Sequence, residues 1–315
     1  SWFKAIEKDS LNWEHVSDLK GWKSSAAQRY KVHSIPSTFL IDRDGKRYFQ
    51  KNALVRLPIR LGEDSFTSGE ISSKKINRMV KSMKAFKHLM KVHGVKDYRA
   101  YATSALREAN NGQVVIENVY RKSGIKIEII DGRKEAKIIS NAKAFNTLNM
   151  DKTYLYVDVG GGSTEFSILE NGERIVSKSF KIGTVRLLNN LVSDKVWQEV
   201  KAWIEKHTEH FSKIYILGTG GNINKLYKMA GIKEGKPISF LTLNAIYEKL
   251  SKMSYEERIV NLELNPDRSD VILPATQIYL KALRWSGAKV IYVPQMGLSD
   301  GMIRAMVKKH PISRE

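Results

Sequence analysis

The chain has 315 residues, 42% hydrophobic and 27% charged, a globular composition with length for about two domains. It contains no cysteine, which excludes disulfides, thiolate zinc sites and CxxC redox chemistry. Lys and Arg number 53 against 33 Asp and Glu, and the net charge of +20 predicts anionic partners: nucleic acid, an acidic membrane surface or phosphate-rich ligands. No apolar run reaches the ~18 residues of a membrane span and no secretory leader pattern is visible, so the expected location is cytoplasmic, with no membrane partner. The chain opens on Ser1 rather than Met, as a fragment or a processed product does.

Residues 1–46 have a character of their own. The stretch 2–30 reads as helix, strand and helix with exposed aromatics. Ile35–Pro36, ahead of the run Thr38-Phe39-Leu40-Ile41, is a candidate cis peptide, and Asp44-Gly45 reads as a turn. From 71 to 93, Ile76, Met79, Val80, Met83, Phe86 and Met90 recur at spacings of three and four, which predicts a helix with one apolar stripe. Ser72 or Ser73 is placed to cap its start and Gly94 its end. Its opposite face carries Lys74, Lys75, Arg78, Lys81, Lys84, Lys87 and Lys91. That is a solvated face by default, or an electrostatic funnel for a polyanion. Arg107, just beyond, is a candidate bidentate phosphate ligand. A helix fits 112–123. A strand, a turn and a helix start fit 127–136, with Glu135 in the first turn. The helix dipole favours a carboxylate there; facing a phosphate cleft, it could instead orient a water for attack.

Three strand-then-glycine units follow, separated by helical patterns at 193–208, 243–253, 274–285 and 300–309. Strands alternating with helices predict an α/β fold. The first unit, Asp158-Val-Gly160-Gly161-Gly162-Ser163-Thr164-Glu165, carries the strongest signal. Its glycines let main-chain N–H groups face a phosphate, Ser163 and Thr164 add hydroxyls, and Asp158 and Glu165 are hard oxygen ligands suited to Mg²⁺. The second has a strand at 213–217 and then Gly218-Thr219-Gly220-Gly221-Asn222. Alone it is a tight connection; beside the first it suggests a second wall of a phosphate cleft. The third runs from a strand at 289–293 to Gly297-Leu298-Ser299-Asp300-Gly301. The seven histidines are scattered without ligand spacing, and no P-loop, HExxH or GxSxG pattern occurs.

Together these residues resemble the exopolyphosphatase / guanosine pentaphosphate phosphohydrolase (Ppx/GppA) family of the actin / sugar-kinase superfamily. The likeness runs from about 44 to 309 through Leu54-Val-Arg-Leu-Pro-Ile-Arg-Leu-Gly62-Glu-Asp64, Ala102-Thr-Ser-Ala-Leu-Arg107-Glu-Ala-Asn-Asn111, Glu128-Ile-Ile-Asp-Gly132-Arg-Lys-Glu135-Ala136, Val157-Asp158-Val-Gly-Gly-Gly-Ser-Thr-Glu165, Gly218-Thr-Gly-Gly221, Pro266-Asp-Arg268-Ser-Asp270 and Gly297-Leu-Ser-Asp-Gly301. It implies two ribonuclease-H-like lobes, 44–150 and 151–315, with the active site between them. The implied reaction is Mg²⁺-dependent hydrolysis of a terminal phosphoanhydride of polyphosphate or guanosine pentaphosphate. Glu135 matches the family's catalytic base, Asp158 and Glu165 its metal and water ligands, Gly161, Gly162 and Ser163 its phosphate loop, and Arg107 its phosphate-binding arginine.

The sequence departs from the family pattern at three places. Lys134 stands where an acidic residue is usual, the last glycine motif reads Gly-Leu-Ser-Asp-Gly, and the opening Asp-x-Gly-Ser-Asn hairpin of the first lobe is missing. In its place, residues 1–43 resemble the C-terminal half of a thioredoxin-like reductase, through Val16-Ser-Asp-Leu-Lys-Gly-Trp22 and Ile35-Pro36-Ser-Thr-Phe-Leu-Ile-Asp42. The two parts look joined near Asp42 to Gly45. The absent hairpin motivates an alternative reading, a polyanion-binding pseudoenzyme. A kinase of the same superfamily ranks lower, because it too needs that hairpin. Nucleic acid ranks lower still, for want of aromatics among the basic residues. Whether the chain forms a homodimer is left open by the sequence.

Overall fold

The computed structural model describes residues 55, 57–95, 97–132, 134, 135, 138, 151–233, 235–294, 301–303, 305 and 306. The chain divides after Leu57, and the unit Pro58–Glu315 carries everything below. The readings made for residues 1–43, including the thioredoxin-like fragment, the 38–41 strand and the Ile35–Pro36 bond, lie outside the described residues, as does the turn of the third glycine unit at 295–300.

Elements are numbered in chain order. Helix α1 (Leu61–Thr67) leads into α2 (Ser73–Val92), then come β1 (Tyr101–Ala102), α3 (Ser104–Glu108), α4 (Gly112–Ser123) and β2 (Glu128–Ile129). The stripe read from the sequence is the buried side of α2. Met79 and Val80 are buried, and Ile76, Met83 and Met90 pack around them against Val115, Ile116 and Val119 of α4. At the C-terminus of α2 the N–H of Gly94 reaches the Lys91 carbonyl and that of Val95 reaches Met90, the paired bonds of a Schellman end. Ser72 occupies the N-cap in extended conformation, but its side chain makes no capping bond. Strands β1 and β2 pair in parallel, Tyr101 beside Glu128 and Ala102 beside Ile129.

The larger sheet comprises β3 (Tyr154–Val159), β4 (Thr164–Glu170), β5 (Glu173–Phe180), β6 (Tyr215–Thr219), β7 (Ile238–Ser239) and β8 (Val290–Tyr292), in the order β5-β4-β3-β6-β8-β7. β4 and β5 run antiparallel beside β3, whereas β6 and β8 run parallel to it after helical crossovers. Helices α5 (Thr184–Leu188), α6 (Asp194–Thr208), α7 (Gly221–Met229), α8 (Phe240–Ser251), α9 (Tyr255–Leu262), α10 (Pro266–Ser269) and α11 (Ile272–Ser286) complete the unit. The predicted helices at 243–253 and 274–285 therefore begin earlier, at Phe240 and Ile272. Ser239 accounts for the first shift, since its hydroxyl accepts the Thr242 N–H and caps α8.

Strand period two decides the placement of the chemistry. Leu155, Val157 and Val159 of β3 enter the main core with Phe166, Ile168, Ile216 and the buried face of α11. Tyr154 and Tyr156 point to the other face, with Leu169 and Leu217. Asp158 follows Tyr156 onto that second face, and Glu165 is its direct partner on β4. A core strand thus delivers a carboxylate to its own C-terminal end.

Candidate active site

Asp158 and Glu165 lie side by side across the β3–β4 ladder, and Thr219 of β6 is the partner of Asp158 on the other side. Three hydroxyls hold this row from below. The Tyr156 hydroxyl accepts from Thr219 Oγ1 at 2.9 Å and donates to Asp158 Oδ2 at 3.4 Å. Tyr279 of α11 donates to the Thr219 carbonyl at 2.7 Å. Glu165 Oε1 is engaged by Arg174 Nη1 at 3.0 Å and by the hydroxyls of Ser167 and Ser177, each at 3.3 Å. Burial raises the pKa of Asp158, against the pull of the Thr219 and Tyr156 hydroxyls. Burial also raises that of Glu165; Arg174 opposes the rise and Asp158 adds to it.

Glu135 enters from the other half of the unit. Asp131 accepts the Lys134 N–H on its side chain at 2.7 Å, opening a helical turn. The Glu135 N–H bonds the Asp131 carbonyl at 3.0 Å. Arg107 Nη1 donates to the Ile130 carbonyl at 2.7 Å and lies 4.0 Å from Glu135 Oε2. Burial, then repulsion from Asp158, pushes the Glu135 carboxyl up to about 7; Arg107 opposes this and Glu165 adds to it. Gly132, just before Glu135, lies against the same carboxylate row, since a Cβ there would stand 3.9 Å from Glu165 Oε2, and the segment of Glu135 thus runs alongside Asp158 and Glu165, residues read separately from the sequence.

The glycine hairpin between β3 and β4 is more specialised than its sequence suggests. The Gly160 N–H is consumed inside the turn by the Ser163 carbonyl at 2.9 Å. Thr164, counted as a hydroxyl donor to phosphate, is fully buried, and its Oγ1 donates to the Ile182 carbonyl at 2.6 Å. Strand pairing turns it into the core, one residue out of phase with Glu165. The N–H groups of Gly161, Gly162 and Ser163 have no hydrogen-bond partner among the described residues. Gly162 meets Phe66 of α1: a Cβ there would fall 2.0 Å from the ring.

The second glycine unit is also shifted. β6 continues through Thr219, so Gly218 lies inside the strand, opposite Val157 and packed beneath Tyr279, instead of opening the loop. The turn itself is Gly220, whose φ of 106° is open to glycine alone in practice, and whose missing Cβ would stand 3.4 Å from Asp158 Oδ1. Gly221 opens α7, and its carbonyl accepts from Arg268 Nη1.

Two arginines to which the sequence reading gave no role, Arg186 and Arg60, tie the two halves of the unit together. Arg186 donates its Nε to the Gly162 carbonyl at 2.8 Å, pairs with Glu108, and lays its guanidinium 4.5 Å over the Phe66 ring. Arg60 pairs with Asp270 at 2.5 Å. No motif flags Arg186, which lies in α5 just after β5, the second strand beyond the glycine hairpin.

Among the described residues no three or more His, Asp or Glu side chains come together closely enough to hold a metal ion unaided. Glu165 Oε2 accepts no hydrogen bond among the described residues, and Asp158 Oδ1 lies beside the Gly220 turn. Such an oxygen-only pair suits an ion that arrives with its own phosphate ligands.

Residues 54–310 match the model of the Ppx/GppA phosphatase family. Among curated proteins, a bifunctional 3-dehydroquinate synthase/phosphatase from Fusobacterium nucleatum is 29% identical over 79% of this chain, which spans 40% of that protein. A guanosine-5'-triphosphate,3'-diphosphate pyrophosphatase from Photobacterium profundum is 24% identical over 82% of the chain, which spans 55% of it. An exopolyphosphatase from Cytophaga hutchinsonii superposes with a TM-score of 0.72 at 25% identity, covering 80% of this chain and 88% of that one. The Aquifex aeolicus Ppx/GppA family member shares the fold at a TM-score of 0.65 and 24% identity, covering 86% and 92%. The family match takes in the Glu135 turn, the glycine hairpin and the Gly220 loop in one continuous span of most of the chain, and the chain belongs to the Ppx/GppA phosphatase family.

Proposed function

We propose that the chain hydrolyses the terminal phosphoanhydride bond of inorganic polyphosphate or guanosine pentaphosphate, with Mg²⁺. The observation that carries the reading is the Glu135 carboxyl, 4.0 Å from Arg107 and pushed up to about 7 by burial and by the charges of Asp158 and Glu165. A base is most effective when its pKa lies near the working pH.

In this reading the terminal phosphoryl sits over the hairpin, where the N–H groups of Gly161, Gly162 and Ser163 take its oxygens. Arg107 adds a guanidinium from the side of Glu135. Glu135 accepts a proton from a water as its oxygen bonds to the terminal phosphorus and the bridging P–O bond breaks, the electron pair leaving with the shortened chain. Phosphoryl transfer of this kind is catalysed mainly by positioning and by charge stabilisation. Asp158 and Glu165 would hold Mg²⁺, which supplies positive charge to the phosphate oxygens when bound.

The test is phosphate release from polyphosphate and from guanosine pentaphosphate, with and without Mg²⁺. Glu135→Gln is expected to lose turnover by about 10²–10⁴, the range for a positioned base, and to keep substrate binding. Unchanged turnover in the variant removes Glu135 from the mechanism. Binding of polyanions by the wild-type chain without any Mg²⁺-dependent release would establish the pseudoenzyme reading instead.

A further inference from the structure

The outer face of α2 is the strongest unpartnered charge feature among the described residues. The helix has twenty residues and no Asp or Glu. Some of its basic residues are already used inside the fold. Lys75 pairs with Glu63 at 2.9 Å and Asp64 at 2.7 Å, Arg78 donates to the Pro58 carbonyl, and Lys87 donates to the Ser123 carbonyl. Lys74, Lys81, Lys84 and Lys91 are exposed and make no ion pair among the described residues.

At 100° per residue, these four and Arg78 fall within an arc of roughly 140°; Lys74, Arg78 and Lys81 lie about 100° or more from the buried Met79, Val80 and Met83, and Lys84 and Lys91 run along the Val80 edge of that stripe. From Lys74 to Lys91 the row is about 26 Å long at 1.5 Å per residue. Its start lies close to the glycine hairpin in the chain of contacts. Lys75 is pinned to α1 by Glu63 and Asp64, and Phe66 of that same helix covers Gly162.

We propose that this face of α2 is an exosite for the distal part of an inorganic polyphosphate chain whose terminal phosphate lies at the hairpin. The inference rests on the function proposed above for its direction, and on charge complementarity for its ligand. A linear anion without bases matches a row of cations on a helix whose rings are Phe86, on the side of the apolar stripe, and a single exposed His88, too few for a stacking platform. A compact nucleotide bound at the hairpin would leave most of a ~26 Å row unused.

The experiment is direct binding by the full chain, without turnover. Fluorescently labelled polyphosphate of about 100 units is titrated at several KCl concentrations, with tripolyphosphate as the short competitor. The comparison is wild type against a variant carrying Lys74→Gln, Lys81→Gln, Lys84→Gln and Lys91→Gln, its helicity checked by circular dichroism. Wild type is expected to bind the long chain at least about tenfold more tightly than the variant near 0.1 M KCl. The slope of log affinity against log salt should fall by about 3, for four contacts at ~0.7–0.9 each. Tripolyphosphate affinity should be the same in both. A variant that binds long polyphosphate as tightly as wild type overturns the exosite. So does a wild-type chain that prefers single-stranded DNA of equal length, which would make the row a nucleic-acid surface. Should the chain bind by length yet release no phosphate, the exosite stands and the hydrolase reading falls.

Discussion

Replacing Glu135 by Gln should stabilise the ligand-free chain at alkaline pH and leave acid stability nearly untouched. The Glu135 carboxyl titrates at about 7 in the fold against an ordinary value of 4.5. Between those limits the folded chain keeps a proton that the unfolded chain has released. Stability conferred by the neutral carboxyl is therefore fully present below pH 4.5 and is lost as pH rises through 7. At about 1.4 kcal/mol per pH unit, the buried charge costs the fold about 3 kcal/mol above pH 7.5. The side chain retains 27% exposure, which discounts the figure towards about 2 kcal/mol. Gln fills the same space without titrating. Asp158 and Glu165 titrate in both proteins and cancel to first order. Urea unfolding from pH 4 to 8.5, without Mg²⁺ or phosphate, should show the variant gaining on wild type by about 2–3 kcal/mol across the window, a large share of a typical 5–15 kcal/mol. A stability difference that does not change with pH would refute the argument that burial and the facing carboxylates raise this group.

Gly162→Ala should cost about 1–3 kcal/mol, because its Cβ would enter the Phe66 ring, and Phe66→Leu in the same chain should recover part of that loss in urea midpoints. Arg186→Ala strands the largely buried Glu108 and frees the Gly162 carbonyl, and unfolding should become easier by about 3 kcal/mol. Asp158→Asn should abolish any Mg²⁺-dependent rise in melting temperature seen in the presence of tripolyphosphate, while leaving the response to tripolyphosphate alone.

The sequence was most informative where one local rule governs a residue. The α2 stripe follows from period 3.6 and packs as read at Ile76, Met79, Val80, Met83 and Met90, though not at Phe86, and the β3 run ending in Asp158 follows from period two. Glu135, Asp158 and Glu165 could each be named from their local setting, but their convergence depends on contacts between distant segments. The errors arose where strand pairing overrides composition. Gly218 reads as loop because glycine punctuates chains, yet its partner Val157 keeps it in β6. Thr164 reads as a phosphate ligand because a hydroxyl follows the glycines, yet its parity on β4 turns it into the core. Arg186 was invisible because its partners, Glu108, Phe66 and the Gly162 carbonyl, are distant in the chain and share no motif with it.

The pairing of Asp158 with Glu165 has a mechanical consequence. Partner residues on adjacent antiparallel strands have Cα atoms about 4.5–5.5 Å apart. The gap between these two carboxylates is therefore set by the ladder and not by the hairpin that links them. The glycine turn only closes the end of the ladder, held there by Arg186 on the Gly162 carbonyl and by Phe66 against Gly162. To reset the gap, β3 would have to slip by a full two-residue repeat against β4, dragging Leu155, Val157 and Val159 out of register with the core they fill. The molecule behaves as a caliper with a locked gauge.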